Sequence, residues 1–459
     1  MPLPHWIHRR VIYPTVLALR GELEVYPALK RLRQMSAWSS IAIRDHQVAK
    51  LAAALAYAYD HCPLYREIWP ADPRAAPDPV RFLKQLPLVD KSTLQHRRVE
   101  LHADPRPRRV TAKTTGGSTG QAVTVLKDRR ALGHEMAASW LAYGWFGVRI
   151  GDRGVRFWGQ PRSLSRRLRF AAADLAMNRV RLSAFAFDEQ DLERYWARCQ
   201  AWEPDFFYGY VSMLTAFAAF LRRRGYAGTT LHLKVIICTS EALEEPQRLL
   251  LSEVFGCPVQ NEYGCGEVGP IASSCHAGKL HVMADNVFLE VLTPDQRDAS
   301  PNETGELVLT DLNNRAMPLV RYRVGDSAVP ASGCPCGLPF PVLERVWGRA
   351  YDFVLAPDGR RFHGEFFMYL FEELRERDLG LDQFRVTQTD ATTLAVDVVS
   401  QTEVGPRQVT YIRKRILEGI SGMDVTVRRV AAIPRTPSGK TRVIVNRLLE
   451  GGARRGTGT

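Results

Sequence analysis

The chain has 459 residues, enough for two or three domains at roughly 100–200 residues each. Lys and Arg outnumber Asp and Glu 62 to 49, a net charge of +13 that suits a nucleotide or coenzyme A, an anionic membrane surface, or nucleic acid. No zinc-finger or RNA-recognition pattern and no long basic run is present, which excludes nucleic acid as the leading partner, and no run of about 18 apolar residues marks a membrane-spanning helix.

The N-terminal stretch begins with His5, His8, Arg9 and Arg10 and continues into an apolar run from Val11 to Leu19. That run contains a proline and lacks a small-residue cleavage site, so it reads as folded chain and not as a leader. Its character would allow peripheral contact with a membrane, but a helix packed on the domain explains it better. Apolar residues near the 3.6 period predict a helix over 40–60. Pro87–Leu94 reads as a strand or loop entering a helix capped by Asp90 or Ser92.

Next comes Thr114-Thr115-Gly116-Gly117-Ser118-Thr119-Gly120-Gln121, followed by the strand-like Ala122–Leu126. Glycine has no Cβ, so such a loop can bring backbone N–H groups against an anion while the hydroxyls add neutral donors. That chemistry suits nucleotide phosphates, although no Gly-Lys-Ser/Thr follows at Walker spacing. A glycine-rich surface turn is the plain alternative.

Helices are expected over 131–147, 189–202, Ser212–Arg224 and Leu243–Phe255, with strands at Val155–Trp158, Phe206–Tyr210 and Lys234–Glu241. This alternation indicates parallel βαβ units, with the polar residues after each strand facing a common ligand side. From about 280 the pattern turns to short strands at Val287–Leu292, Gly305–Thr310 and Pro318–Arg323, read as an antiparallel β subdomain. Beyond 355, strands at Phe384–Gln388, Leu394–Val399 and Val425–Val430 flank a helix over 405–419, a small α+β unit. The expected division is 1–348 for a large α/β domain (β subdomain about 280–348), 349–450 for the small domain and 451–459 for a disordered tail.

Four further clusters accompany the glycine-rich loop: Asn261-Glu262-Tyr263-Gly264-Cys265-Gly266-Glu267, Arg321-Tyr322-Arg323-Val324-Gly325-Asp326, Gly348-Arg349-Ala350-Tyr351-Asp352 and Pro434-Arg435-Thr436-Pro437-Ser438-Gly439-Lys440. A tyrosine can stack on a base, a glutamate can hold magnesium, and an aspartate can accept ribose hydroxyls. Each has an ordinary structural explanation alone. In this order they closely resemble the adenylate-forming superfamily of acyl- and aryl-CoA ligases, from about Leu51 to Leu448. Tyr263–Glu267, Thr239-Ser240-Glu241-Ala242-Leu243 and Cys334-Pro335-Cys336-Gly337 look most like the phenylacetate–CoA ligase branch, including relatives associated with capsular polysaccharide synthesis.

The resemblance implies that Thr114, Thr115, Gly116, Gly117, Ser118, Thr119 and Gly120 contact the phosphates of ATP. Glu241, Ala242 and Glu262 would belong to the nucleotide site, with Tyr263 stacked on adenine and Gly264 leaving room for the acyl carboxylate. Glu267 would bind Mg2+, Asp326 the ribose, and Arg349 the ribose or phosphate. Lys440 would bridge carboxylate and phosphate, where an ammonium offsets the meeting of two anions. Asp352, or Tyr351, would be the hinge about which the small C-terminal domain turns between half-reactions. The Gly348–Asp352 pattern departs from the family's, as does the segment Leu355–Arg360, and both leave the acyl acceptor open.

The implied substrates are a carboxylic acid, ATP and coenzyme A. Direct transfer to an amine or hydroxyl, and a non-catalytic nucleotide-binding homologue, are the alternatives. Acyl-pocket candidates are Trp158, Phe207, Tyr208, Tyr210 and Ala242, each equally suited to a core. A homodimer is compatible with the chain and is not decided by it. Eight cysteines and no secretory signal imply a reducing cytoplasm, with five of the thiols simply buried. Cys275, His281, Cys334 and Cys336 stand apart: three sulfurs and an imidazole suit a closed, structural zinc site, with His276 as an alternative ligand.

Overall fold

A computed structural model of the chain describes residues 4–114, 123–159, 164–184, 186–347, 353–358, 360–364, 366–367, 370–371, 381–400, 403–433 and 443–448. Its strands, in chain order, are β1 (Val110–Thr114), β2 (Thr124–Asp128), β3 (Gly154–Trp158), β4 (Arg179–Ser183), β5 (Ala186–Phe187), β6 (Phe206–Tyr210), β7 (Val235–Thr239), β8 (Val259–Cys265), β9 (Gly269–Ser274) and β10 (Leu280–Val282). They continue as β11 (Val287–Leu292), β12 (Gly305–Asp311), β13 (Tyr322–Pro330), β14 (Val342–Trp347), β15 (Phe353–Leu355), β16 (Arg361–His363), β17 (Leu381–Gln388), β18 (Thr393–Ser400), β19 (Asp424–Arg429) and β20 (Ile444–Asn446).

One eleven-stranded mixed sheet dominates, in the order β11-β12-β13-β14-β10-β9-β8-β7-β6-β3-β4. The half from β4 to β8 is parallel, built on the expected helices Glu189–Trp202, Val211–Arg224 and Glu245–Phe255. β7 is buried along its whole length, as a parallel strand covered on both faces must be. At β8 the pairing switches to antiparallel, and every later neighbour follows suit. The strands expected as an antiparallel β subdomain of the large domain do pair antiparallel, and they continue the same sheet.

One strand is displaced from its expected position. The pattern at Pro318–Arg323 predicts a strand, but β13 starts only at Tyr322. Pro318 has no N–H for a ladder, and Arg321 turns the backbone at φ +49°. The shift puts Asp326 inside the strand. There β13 carries two extra residues against β12, between the pairs Val308↔Arg323 and Glu306↔Ser327, and Gly325 takes φ +86°. A bulge of this kind re-aims a side chain, here Asp326.

The N-terminal segment is helical and packed on the domain, with Tyr13 and Leu17 buried. No described helix is long and apolar enough to cross a membrane. The helix Ser40–His61 agrees closely with its expected span, and Asp90, not Ser92, caps Lys91–His96 by accepting from the Thr93 N–H. A separate four-stranded sheet, β19-β18-β17-β20, forms the C-terminal unit, with the helix Pro406–Leu417 between β18 and β19 and its own apolar core.

Candidate functional site

β1 and β2 pair as an antiparallel hairpin whose last register pair is Thr114↔Thr124, with the two hydroxyls 3.0 Å apart. They hold the two ends of the glycine-rich stretch. Thr115, Gly116, Gly117, Ser118, Thr119 and Gly120 lie outside the described residues, as do Arg349, Asp352 and Lys440. Lys127 anchors the hairpin: it is fully buried, 2.8 Å from Glu135 and 3.2 Å from Asp311. Burial alone would strip its charge, but the two carboxylates raise its pKa.

The helix Lys91–His96 packs beside β2 and brings Lys91 toward the turn after β8. A parallel bridge between Val89 and Tyr322 fixes that helix to the start of β13. Two hydrogen bonds tie expected site residues of the β8 region to β13 here. The Tyr263 hydroxyl, on β8, donates to Asp326 Oδ2, on β13, at 3.0 Å. Three strands separate β8 from β13 in the sheet order, so this contact requires the antiparallel half to curl over the end of the parallel half. Glu267, 4% exposed in the β8–β9 turn, accepts from the Tyr322 hydroxyl at 2.9 Å. Burial works against its charge, yet the Lys91 ammonium, its own N–H and the Tyr322 hydroxyl hold its carboxyl below the ordinary range. An ionised carboxylate is the oxygen donor that a hard cation takes.

Glu262 behaves in the opposite way. Neighbouring residues of a strand face opposite sides of the sheet. Glu262 is buried against the helix Arg129–Gly144, accepting from Tyr143 (2.8 Å) and Tyr208 (3.0 Å). Burial raises its pKa, outweighing those hydroxyls, Thr239 and the Arg156 charge. Glu241 accepts from both the N–H (2.6 Å) and the hydroxyl (2.9 Å) of Ser212, holding the start of the helix Val211–Arg224. Ala242 follows in the same turn, after Ser240 at φ +67°. Gly264 has a packing reason of its own: a Cβ there would lie 2.5 Å from the Gly269 carbonyl oxygen across the β8–β9 hairpin.

Of the acyl-pocket candidates, Phe207 is core, ringed by Phe157, Phe217 and Phe255, and Tyr210 is buried against Trp158 at a 4.3 Å ring separation. Tyr208 lines a cavity of about 160 Å³ between the helix Arg129–Gly144 and strands β3, β4 and β6.

The Cys/His constellation is assembled. Ligand atoms of Cys275, His281, Cys334 and Cys336 lie within 4.8 Å of one another, with Cys275 Sγ 3.5 Å from Cys334 Sγ and Cys336 Sγ 3.1 Å from His281 Nε2. The pairing of β10 with both β9 and β14 puts the β9–β10 turn beside the β13–β14 loop. His276 points elsewhere, its Nε2 2.8 Å from the Trp145 carbonyl oxygen, so His281 is the imidazole of the group. Burial lowers the His281 pKa and keeps the ring in its neutral, ligating form. A second group, His5, Asp152 and Asp205, is already neutralised by Arg9 and Lys234.

Lys91, Lys127, Tyr143 and Tyr322 were not singled out from sequence. Tyr322 had a signal, since it stands in the same short cluster as Asp326. Lys127 had none, because a lysine ending a strand reads as solvated.

No family model matches the chain. A phenylacetate-coenzyme A ligase of Thermus thermophilus is 26% identical over 339 residues, covering 68% of this chain and 72% of that protein. Protein CapK of Staphylococcus aureus is 23% identical over 378 residues, covering 80% and 81%. Among solved structures, a 2-hydroxyisobutyryl-CoA ligase in its thioesterification state matches with a TM-score of 0.58 at 17% identity, covering 92% of this chain and 94% of that one. An open conformation of the same ligase gives 0.55 over 90% and 93%. The chain is thus similar in sequence to phenylacetate-coenzyme A ligases and to CapK, and it has the α/β fold of the 2-hydroxyisobutyryl-CoA ligase.

Proposed function

We propose that the protein is an AMP-forming acid–thiol ligase. A carboxylate oxygen attacks the α-phosphorus of ATP and pyrophosphate leaves; the sulfur of coenzyme A then attacks the acyl carbon and AMP leaves. The observation that carries this reading is that, at the switch from parallel to antiparallel pairing, Tyr263 bonds Asp326 and Glu267 bonds Tyr322, both partners on β13. Ligands of open α/β sheets bind beyond the carboxyl ends of the strands, and β8 ends here. Tyr263 and Asp326 would hold adenosine, with the 114–120 loop on the phosphates. Glu267 would hold magnesium, which when bound neutralises charge on the departing pyrophosphate. Lys440 would offset the two anions that meet in the first step, and a hinge at Arg349–Asp352 would exchange the two half-reactions. The cytoplasm, where ATP and coenzyme A are supplied, is the compartment this chemistry needs. Pyrophosphate release is measured with ATP, Mg2+ and a panel of aryl and aliphatic acids, with and without coenzyme A. Acid-dependent release that falls on the order of 100-fold in Lys440→Ala is expected; release independent of any acid would contradict the reading.

We also propose zinc at Cys275, His281, Cys334 and Cys336. Tetrahedral zinc with Zn–S bonds of ~2.3 Å sets its sulfurs roughly 3.8 Å apart, which the 3.5 Å between Cys275 and Cys334 approaches. Four protein donors leave no open position, so the ion would tie the two hairpins and do no chemistry. Metal analysis of untagged protein should find one zinc per chain. Cys334→Ser with Cys336→Ser should lose it and melt at lower temperature, since such binding energy is folding energy. Zinc-free wild type would refute the site.

A further inference from the structure

The cavity against the helix Arg129–Gly144 has an unusual charge. Its walls include Met136, Trp140 and Phe206, which are apolar, and also Arg156 and Arg179. Arg179 is paired, with Nε 2.6 Å from Asp174. Asp174 is in turn shared with Arg181 at 2.8 Å, so its two oxygens are committed. Arg156 has no carboxylate partner among the described residues. Its guanidinium lies 4.3 Å from the Trp158 ring centroid and 5.1 Å from that of Tyr208, and its Nε is buried without a hydrogen-bond partner. Glu262, an acidic side chain that feels its charge, has both oxygens occupied by Tyr143 and Tyr208.

Cation–π contact offsets only part of the cost of withdrawing such a cation from water. A guanidinium resting beside two rings, with no carboxylate partner among the described residues, can offer its N–H fork to a planar anion, the group that binds a carboxylate through two parallel hydrogen bonds. One contact links the cavity to β8, the strand that carries Tyr263. Tyr208 lines it and donates to Glu262, which directly precedes Tyr263 and Gly264. A volume of about 160 Å³ is close to the ~150 Å³ that holds a benzene molecule in a dry protein cavity.

We propose that Arg156 is a specificity-determining residue and that the acid activated here is a dicarboxylic acid with a short hydrocarbon or aryl body. One carboxylate is activated at the strand ends, and the other sits on Arg156. The apolar walls take the body between them. This inference rests on the adenylation reading for the identity of the reacting end, but not for the binding of the distal one.

The test compares matched acids: glutarate with pentanoate, and homoterephthalate with phenylacetate. Specificity, as kcat/KM for pyrophosphate release, is measured for wild type, Arg156→Gln and Arg156→Lys, with melting curves to establish that each variant is folded. Wild type should favour the diacid of each pair by about tenfold or more, as one charge-assisted contact allows. That ratio should collapse toward one in Arg156→Gln and survive in part in Arg156→Lys. A wild type that favours the monoacids, or a ratio unchanged in Arg156→Gln, would overturn the proposal. If Arg156→Gln does not fold, a ratio unchanged in Arg156→Lys does the same. Should no acid release pyrophosphate, the adenylation reading fails by itself. Calorimetric titration of the same acids without ATP then decides on Arg156: diacid binding lost in the variant supports it, and absence of diacid binding by wild type overturns it.

Discussion

Two glutamates five positions apart in the same short motif meet opposite electrostatic fates. Glu262 and Glu267 are 6% and 4% exposed, so desolvation pushes both toward the neutral acid. Glu262 follows that push, because its neighbours are hydroxyls and the one nearby cation stacks on rings beyond them. Glu267 resists it, because Lys91 supplies a positive charge from a helix pinned to β13. Burial does not decide which carboxylate can serve a cation; the nearest ammonium does. Glu262 acts as a clamp for two tyrosines along the cavity, and Glu267 as a charge kept ready in a site of low dielectric.

The difference can be broken at several points. The largest effect is expected for Glu267→Gln, which keeps the shape and the Tyr322 hydrogen bond but removes the charge. Pyrophosphate release should fall on the order of 100-fold, with far-ultraviolet circular dichroism unchanged. The same variant should alter acid unfolding. A carboxyl held below its ordinary value stabilises the fold above about pH 4.3, and that stability is lost as pH falls through the folded pKa. Glu267→Gln should therefore lose less stability than wild type on acidification, as melting temperature against pH would show.

A smaller effect is expected when the charge is left in place and its support removed. In Lys91→Met, burial acts on Glu267 without its main opposition. The acid limb of the pH–rate profile should move up by about one unit. A limb that stays in place would mean that Lys91 does not set this carboxyl.

The smallest effect is expected for Glu262→Gln, which retains an acceptor for one tyrosine hydroxyl and changes activity by only a few-fold. Its linkage has the reverse sign. A raised carboxyl stabilises the fold fully below about pH 4.3, and that stability is lost as pH rises through the folded pKa. Glu262→Gln should thus gain melting temperature relative to wild type as pH rises toward neutrality. A large loss of activity in this variant would move Glu262 from the clamp into the nucleotide site.

Much of the fold was legible because local patterns agree with tertiary context. The helix Glu189–Trp202 falls where its period predicts, and Asp188 caps it in a reciprocal capping box with Asp191. The apolar run at Val235–Thr239 is the buried parallel strand it resembles. What escaped was long-range. That β11–β14 continue the main sheet depends on β8 pairing in two directions, which no window of sequence contains. β13 was misplaced by four residues, from Pro318 to Tyr322, because an apolar run looked like strand while Arg321 carried the turn. In the site, glycine, tyrosine and acidic residues stood out by composition, whereas Lys91 and Lys127 did not, since their roles come from contacts with β8 and β12 and not from neighbours in the chain. Thiol spacing was the most transparent signal: four residues singled out by type alone converge within 4.8 Å.

The central claim is that this chain makes an acyl adenylate at the Tyr263–Asp326–Glu267 centre. A single-turnover reaction with enzyme in excess over ATP, quenched and analysed by mass spectrometry, tests it directly. With a competent acid and no coenzyme A, acyl-AMP should accumulate on the enzyme in step with pyrophosphate, disappear when coenzyme A is added, and be absent in Glu267→Gln on the same time scale. ADP and phosphate in place of AMP and pyrophosphate, or acyl-AMP formed equally fast by Glu267→Gln, would contradict the account.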